Sequence, residues 1–191
     1  CVNASNRATD VAHFHAHVQG DVVITDESDS WAQIAVQGPA APTLIARVLG
    51  PEVEGMKPFR VKAAHFDGVD VLFSTTGYTG EAGGEIYVPV AQAESLWKAL
   101  MAQGEDLKVG PAGLGARDTL RLESAYCLYG NDIDRTTTPL EAGLGGVTRL
   151  TKDHFIGKDA LVKQKAEGVG RKLVGIEMTE RGIPRHDYPV L

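Results

Sequence analysis

Apolar residues recur along the chain at two spacings, one typical of helices and one typical of strands. Beyond the break at Gly38-Pro39, apolar residues at positions 44, 45, 48 and 49 follow helical spacing, and Gly50 stands where such a helix commonly ends. A second stripe, at positions 96, 97, 100 and 101, is typical of an amphipathic helix. We predict helices over residues 5–18 (capped by Asn3 or Ser5), from Pro39 to Gly50, and over residues 91–103, 113–123 and 159–165.

Short runs rich in Val, Ile and Phe predict strands between these helices. The clearest pair, residues 59–66 and 69–75, is joined by Asp67-Gly68, a strong signal for a tight hairpin turn. Further strands are predicted over residues 21–25, 31–36, 85–90, 147–150 and 171–178. Helices and strands interleave without regular βαβ spacing, which favours an α+β fold built on antiparallel sheet.

The composition changes near residues 168–171, and we place a domain boundary there. This predicts one region over residues 1–168 and the start of a second, β-rich unit over residues 169–191. The chain opens without Met on an apolar pair suited to the end of a strand, and it closes at Tyr188-Pro189-Val190-Leu191, where another strand is expected to begin. We therefore expect a fragment of a longer protein.

Composition and charge narrow the functional classes. Hydrophobic residues make up 43% and charged residues 23% of 191 residues, which is the profile of a soluble globular protein. A net charge of −6 with scattered basic residues argues against nucleic acid or an anionic membrane as a partner. The two cysteines, Cys1 and Cys127, favour a reducing compartment, and neither a membrane-spanning run nor a signal peptide is present. An intracellular enzyme or binding module is expected.

A glycine-rich segment over residues 77–86 is the first candidate for a functional site. Four glycines in eight positions let the backbone turn sharply and approach a ligand. Tyr78 offers a ring and a hydroxyl, and Glu85 enters a strand that would hold it rigidly. Composition alone favours the alternative, a long hairpin connection whose acids are solvated.

Two arginines on the predicted helix over residues 113–123 are the second candidate. Arg117 and Arg121 are four residues apart and share one helix face, while Asp118 and Arg121 form an i,i+3 pair. Residue spacing alone favours a salt-bridged solvent face. The functional alternative is that one arginine turns inward and holds an anion or a carboxylate.

Two groups of residues suggest a metal site, and we assign none. The acids around Asp132 and Asp134 lack the glycine and glutamate spacing of an EF-hand, which favours a loop with capping carboxylates. His13, His15 and His17 have only Asp10 nearby as a further ligand, so a solvated helix face explains them better than zinc.

Taken together and in order, these segments resemble the T-proteins of the glycine cleavage system, and the resemblance covers essentially all 191 residues. The ordered set is far more specific than any one motif. It comprises Val2-Asn3-Ala4-Ser5-Asn6, Gln37-Gly38-Pro39, Gly77-Tyr78-Thr79-Gly80-Glu81 with Glu85-Ile86, the segment from Gly115 to Glu123, Leu128-Tyr129-Gly130-Asn131-Asp132, the segment from Thr138 to Leu144, Phe155-Ile156-Gly157-Lys158, and Arg181-Gly182-Ile183-Pro184-Arg185.

The resemblance implies a fold and an activity. The fold would be a three-domain cloverleaf around a tetrahydrofolate pocket, with antiparallel-sheet folate-binding domains in residues 1–168 and the start of a C-terminal β-barrel domain in residues 169–191. The activity would be aminomethyl transfer from the lipoyl arm of H-protein, with release of ammonia and formation of 5,10-methylenetetrahydrofolate. Cofactor and partner would thus be tetrahydrofolate and lipoylated H-protein, in the cytoplasm or, for a eukaryotic protein, in the mitochondrial matrix.

The resemblance also implies roles for individual residues. The family's folate contacts match Tyr78, Glu85 and Arg117, and Asn3 is expected beside the pocket. A pterin edge presents two N–H donors that the Glu85 carboxylate can accept together. Arg117, predicted to point into the pocket, would hold that carboxylate or donate to the pterin, and Tyr78 would line the ring. Arg121 is expected to matter less and to serve as a control.

One departure from the family pattern concerns catalysis. The family's catalytic aspartate belongs to a Gly-Gly-x-x-Asp-Asp type of segment upstream of Val2-Asn3-Ala4, and the 191 residues contain no such segment. We therefore assign no catalytic residue to this chain and expect it to be inactive as a transferase by itself.

Three other kinds of protein are alternatives to the T-protein interpretation. A folate-binding iron–sulfur assembly factor would carry a cysteine where this chain has His154. The folate domain of a sarcosine or dimethylglycine dehydrogenase fits less well over residues 128–134. A structural or interaction domain would leave Glu85 and Arg117 without a role.

Overall fold

The computed structural model describes residues 1–183 and Tyr188. By compactness the chain divides into two units, Cys1–Tyr126 and Cys127–Leu191. The boundary predicted after residue 168 rests on composition and stays a prediction. Among the described residues, no helix is long and apolar enough to cross a membrane.

The first unit contains one antiparallel sheet of four strands, in the spatial order β1-β4-β3-β2. The strands are β1 (Trp31–Gln37), β2 (Val61–Phe66), β3 (Val69–Ser74) and β4 (Gly83–Pro89). The α+β prediction with antiparallel sheet is confirmed. The helices are α1 (Arg7–His17), α2 (Ala41–Leu49), α3 (Ala93–Gln103), α4 (Leu114–Glu123) and, in the second unit, α5 (Lys158–Glu167). Short 3₁₀ turns cover Ala4–Asn6, Pro51–Val53, Val90–Gln92, Glu105–Leu107 and Leu144–Gly146.

Local signals explain the hairpin and the ends of the helices. Asp67 and Gly68 both have positive φ, at 49° and 78°, as the tight turn between β2 and β3 requires. The Asn3 side chain accepts a hydrogen bond from the Ser5 amide at the start of the first helical segment. Gly50 follows α2 with φ of 101°, a conformation that favours glycine.

The hydrophobic core lies between one face of the sheet and the helices α2 and α3. Alternate residues of the central strands, such as Ile86 and Phe73, point to this face because side chains alternate along a strand. They pack with the apolar stripes of α2 and α3, whose most buried members are Leu44, Ile45 and Leu96. The opposite face of the sheet carries the intervening residues of each strand, including Glu85.

Three predicted strands are wrong. Residues 21–25, 147–150 and 171–178 contain no strand, although each run is rich in Val, Ile or Leu. Val23, for example, is 86% exposed and Val174 is 68% exposed. A strand is stabilised by its partner and not by side-chain preference alone, and no described strand pairs with these runs. The predicted strand over residues 188–191 lies, apart from Tyr188, outside the described residues, as do Pro184 and Arg185 of the last motif.

Candidate functional site

The glycine-rich segment is the connection from β3 to β4, and the side chain of Gln37 fastens it to the edge strand β1. Gln37 Nε2 donates to the carbonyl of Gly84 at 3.1 Å, and its Oε1 accepts from the Thr79 hydroxyl at 3.0 Å. A Cβ added to Gly77 would lie 2.1 Å from Gln37 Oε1, so a larger residue at this position would displace the Gln37 amide. The segment is therefore held in one conformation at the end of β1.

Helix α4 lies against the same segment and brings two further side chains to Tyr78. The Ser124 hydroxyl donates to the carbonyl of Thr79 at 3.0 Å. The rings of Tyr78 and Tyr126 stack with their centroids 5.8 Å apart, and the Arg117 guanidinium carbon lies 4.5 Å from the centroid of the Tyr78 ring. Tyr78 is thus fixed by an aromatic contact and a cation–π contact.

Glu85 is half-buried on β4, on the face of the sheet opposite the helices, and both of its carboxylate oxygens accept hydrogen bonds. Oε1 accepts from Gln33 Nε2 at 2.5 Å, and Oε2 accepts from the Thr76 hydroxyl. Burial, and next the negative charge of Glu85, raise the pKa of the neighbouring Tyr87 phenol above its ordinary value of 10.0. The carboxylate is therefore oriented before any ligand arrives.

Tyr78, Glu85 and Arg117 line one cleft of about 280 Å³ at the β1 edge of the sheet. Glu85 and Arg117 are the charged residues of its lining among the described residues. Most of the remaining surface is apolar and comes from β1, α2, α3, α4 and the segment that leads into α4. These lining residues include Ile34, Leu44, Trp97, Leu100, Met101, Val109, Pro111, Leu114 and Leu120. An apolar cleft with one carboxylate and one guanidinium is suited to a flat ligand that carries polar edges.

The two arginines of α4 have different environments from those expected. Arg121 is 2% exposed, and its Nε and Nη2 donate to Asp118 Oδ1 at 2.9 and 2.7 Å. Its Nη1 donates to the carbonyl of Tyr126 at 3.2 Å. Because Arg121 is buried and stabilises the end of α4, it is an unsuitable control. The expectation that its truncation affects folate binding less than truncation of Arg117 stays a prediction. Arg117 lines the cleft but remains exposed to solvent.

The structure does not bring Asn3 into the cleft with the other three predicted residues. Its Oδ1 accepts from the amide and the hydroxyl of Ser5, at 3.0 and 2.5 Å. An asparagine preceding a helix commonly satisfies the first free amides in this way. The geometry therefore gives Asn3 a capping role.

Sequence reasoning missed four residues of the site, namely Gln33, Gln37, Thr76 and Tyr126. Gln33 and Gln37, four residues apart, lie on the same face of a strand that is otherwise largely apolar, and that polarity was the available signal. Gln33 lies opposite Tyr87 in the pairing of β1 with β4, next to the pair formed by Ala35 and Glu85. The proximity of Gln33 to Glu85 depends on the register of β1 against β4, which cannot be read from the sequence.

Neither group of residues considered for a metal forms a binding cluster. Among the described residues, no three His, Cys, Asp or Glu side chains are grouped to hold an ion. Asp132 Oδ2 accepts from the Leu128 amide, and Asp134 Oδ1 accepts from the amide and hydroxyl of Thr136. The hydroxyl of Thr136 is the main cause of a lowered pKa at Asp134. These carboxylates cap a loop, as predicted for this segment.

Comparison with known proteins places the chain in a family. Residues 1–152 match the family model of the GCVT N-terminal domain. The chain belongs to this family. The match covers every element of the candidate site, from Gln33 on β1 to Tyr126 after α4.

Members of the GCVT family with high similarity are named as aminomethyltransferases. The aminomethyltransferase of Halothermothrix orenii is 48% identical over 189 residues, covering 99% of this chain and 53% of that protein. That of Bdellovibrio bacteriovorus is 50% identical over 188 residues, covering 98% and 52%. The crystal structure of glycine cleavage system aminomethyltransferase T from Bartonella henselae superposes with a TM-score of 0.73 at 33% identity, covering 87% of this chain and 45% of that one. The chain spans about half the length of the curated relatives it matches.

Proposed function

We propose that the cleft holds the pterin of tetrahydrofolate, and that the chain supplies this site to an aminomethyltransferase of the glycine cleavage system. The observation that carries the proposal is the half-buried Glu85 carboxylate, fixed at a cleft that also contains Tyr78 and Arg117. Membership of the GCVT family and the names of the relatives support it. Those names favour the T-protein interpretation over the assembly-factor and dehydrogenase alternatives.

The residues present suit a reduced folate. A carboxylate has about four lone-pair directions; Gln33 and Thr76 use two of those on Glu85, and the Tyr87 hydroxyl is a further hydrogen-bond partner. The same carboxylate can accept the N–H donors of a pterin edge as charge-assisted hydrogen bonds. The Tyr78 ring and the Arg117 guanidinium add flat surfaces suited to an aromatic ligand.

The proposed role of the chain in the reaction is to bind and orient folate. When bound, tetrahydrofolate would supply the N5 amine that takes the methylene from the S-aminomethyl group of the lipoyl arm, with ammonia and the dihydrolipoyl thiol as leaving groups and ring closure through N10 giving 5,10-methylenetetrahydrofolate. Among the described residues Glu85 is the one carboxylate that lines the cleft, and binding uses it. We therefore assign no proton-transfer group to this chain. From its membership of the GCVT family we propose lipoylated H-protein as the partner and the cytoplasm as the location.

Titration of the purified chain with tetrahydrofolate under anaerobic conditions tests the proposal. Trp97 lines the cleft, so its fluorescence reports binding there, and calorimetry gives the affinity. Glu85→Gln keeps the size of the side chain and removes its charge, which should cost on the order of 1.5–3 kcal/mol of binding. Glu167→Gln, an exposed glutamate of the second unit, is the matched control and should bind like the unsubstituted chain.

Two results would count against the proposal. If the unsubstituted chain bound no tetrahydrofolate at millimolar concentration, the cleft would not be a folate site. Equal affinity of the folded Glu85→Gln variant would show that the carboxylate does not contact the ligand.

A further inference from the structure

The hydrogen bonds around Glu85 form a directed chain that starts inside the sheet. Thr76 Oγ1 lies 2.8 Å from the hydroxyl of Ser74, a residue that is 3% exposed. A threonine hydroxyl has one proton, and Thr76 gives that proton to Glu85 Oε2. The hydroxyl of Ser74 must therefore donate to Thr76, and the sequence of donors runs from Ser74 to Thr76 to Glu85.

The second oxygen of Glu85 is held from the other side by the edge strand. Gln33 on β1 donates to one carboxylate oxygen directly, whereas Ser74 on β3 acts on the other only through Thr76, which follows the end of β3. The carbonyl of Thr76 also accepts from Gln37 Nε2 at 3.4 Å, which joins this group to the segment that carries Tyr78. The orientation of Glu85 is therefore coupled to the position of the glycine-rich segment.

We propose that Gln33 and Thr76 are positioning residues that fix the Glu85 carboxylate for its ligand, an inference that rests on the proposed folate site. A glutamate side chain is long, and its terminal torsion rotates broadly when nothing restrains it. Binding would then have to order the carboxylate, at a cost in conformational entropy. Gln33 and Thr76 lower that cost because they restrain one oxygen each.

Substitutions at Thr76, with a matched neighbour as control, test the inference by affinity for tetrahydrofolate. Thr76→Val keeps the shape and removes the donor, and the affinity should fall on the order of tenfold. Thr76→Ser retains the hydroxyl and should restore most of the affinity. Thr75→Val is the control, because the Thr75 hydroxyl donates to the carbonyl of Lys57 at 2.6 Å and not to Glu85. It should leave the affinity within about twofold of the unsubstituted chain.

A double-mutant cycle distinguishes positioning from a general loss of structure. If Thr76 acts through the Glu85 carboxylate, adding Thr76→Val to Glu85→Gln should lower the affinity by less than about twofold further. Gln33→Met, on the exposed edge of the sheet, should show the same coupling without threatening the fold. Additive losses in both cycles would overturn the inference.

The controls also separate this inference from the proposed function. Weak binding by Glu85→Gln together with normal binding by folded Thr76→Val and Gln33→Met would refute positioning and leave the folate site intact. No binding by the unsubstituted chain would instead refute the proposed function.

Discussion

Arg117 and Arg121 lie one turn apart on α4, and their surroundings give them different tasks. Arg121 is buried near Tyr126, and its guanidinium donates hydrogen bonds to the Asp118 carboxylate and to the carbonyl of Tyr126. Arg117 lies at the open side of the helix, over the face of Tyr78. The buried arginine stabilises the site, and the exposed one is available to a ligand.

We expect Arg117→Lys to impair tetrahydrofolate binding nearly as much as Arg117→Ala, by about 1–3 kcal/mol. An ammonium group cannot reproduce the planar guanidinium that stacks on Tyr78 and donates as a fork. Calorimetric titration of both variants measures the effect. Arg60→Lys, an exposed arginine outside the cleft lining, is a suitable control, because Arg121 is buried. Full affinity of Arg117→Lys would mean that a point charge is sufficient.

At the scale of elements, strand β4 carries both the core and the site on its two faces. Ile86 and Val88 are fully buried against α2 and α3, whereas Glu85 and Tyr87 lie on the other face. Gly84 precedes Glu85 and is packed so closely that an added Cβ would lie 2.4 Å from the carbonyl oxygen of Ser74. The position of β4 against β3 therefore sets the position of Glu85.

Gly84→Ala is predicted to destabilise the chain by about 1–3 kcal/mol, because the new methyl group meets backbone that cannot move aside easily. It should also weaken tetrahydrofolate binding, since a shift of β4 displaces Glu85. Gly115→Ala is the matched control, because nothing lies within 4 Å of its Cβ position on α4. That variant should gain about 0.5–1 kcal/mol from helix preference. Urea denaturation measures both, and equal stability of the two variants would contradict this account of β4.

These elements show which parts of the fold and of the candidate site can be predicted from the sequence alone. The hairpin turn at Asp67-Gly68 and the alternation along β4 are local signals, and both predicted the structure well. The runs over residues 21–25 and 171–178 have the same local character, but none of the strands described in the structure pairs with them, and a pairing partner is not encoded locally. Motifs and a family resemblance pointed to Tyr78, Glu85 and Arg117. Gln33 and Thr76 were missed because only strand register and a loop conformation bring them to Glu85.

At the scale of the whole molecule, the site belongs to one compact unit. Every residue that lines the cleft lies within Cys1–Tyr126. Beyond the cleft, the face of the sheet that carries Glu85 is open, and Val61 and Leu72 on it are 65% and 40% exposed. The cleft proposed to hold the pterin is therefore formed within this unit.

A crystal structure of the chain with tetrahydrofolate tests directly whether the Glu85 carboxylate binds the pterin edge in the cleft. The distances to measure join the two Glu85 carboxylate oxygens to the pterin 2-amino nitrogen and N3. We expect both distances to be about 2.7–2.9 Å, with Gln33 and Thr76 still hydrogen-bonded to the carboxylate. A folate bound elsewhere on the chain, or bound in the cleft with its pterin edge away from Glu85, would contradict the account.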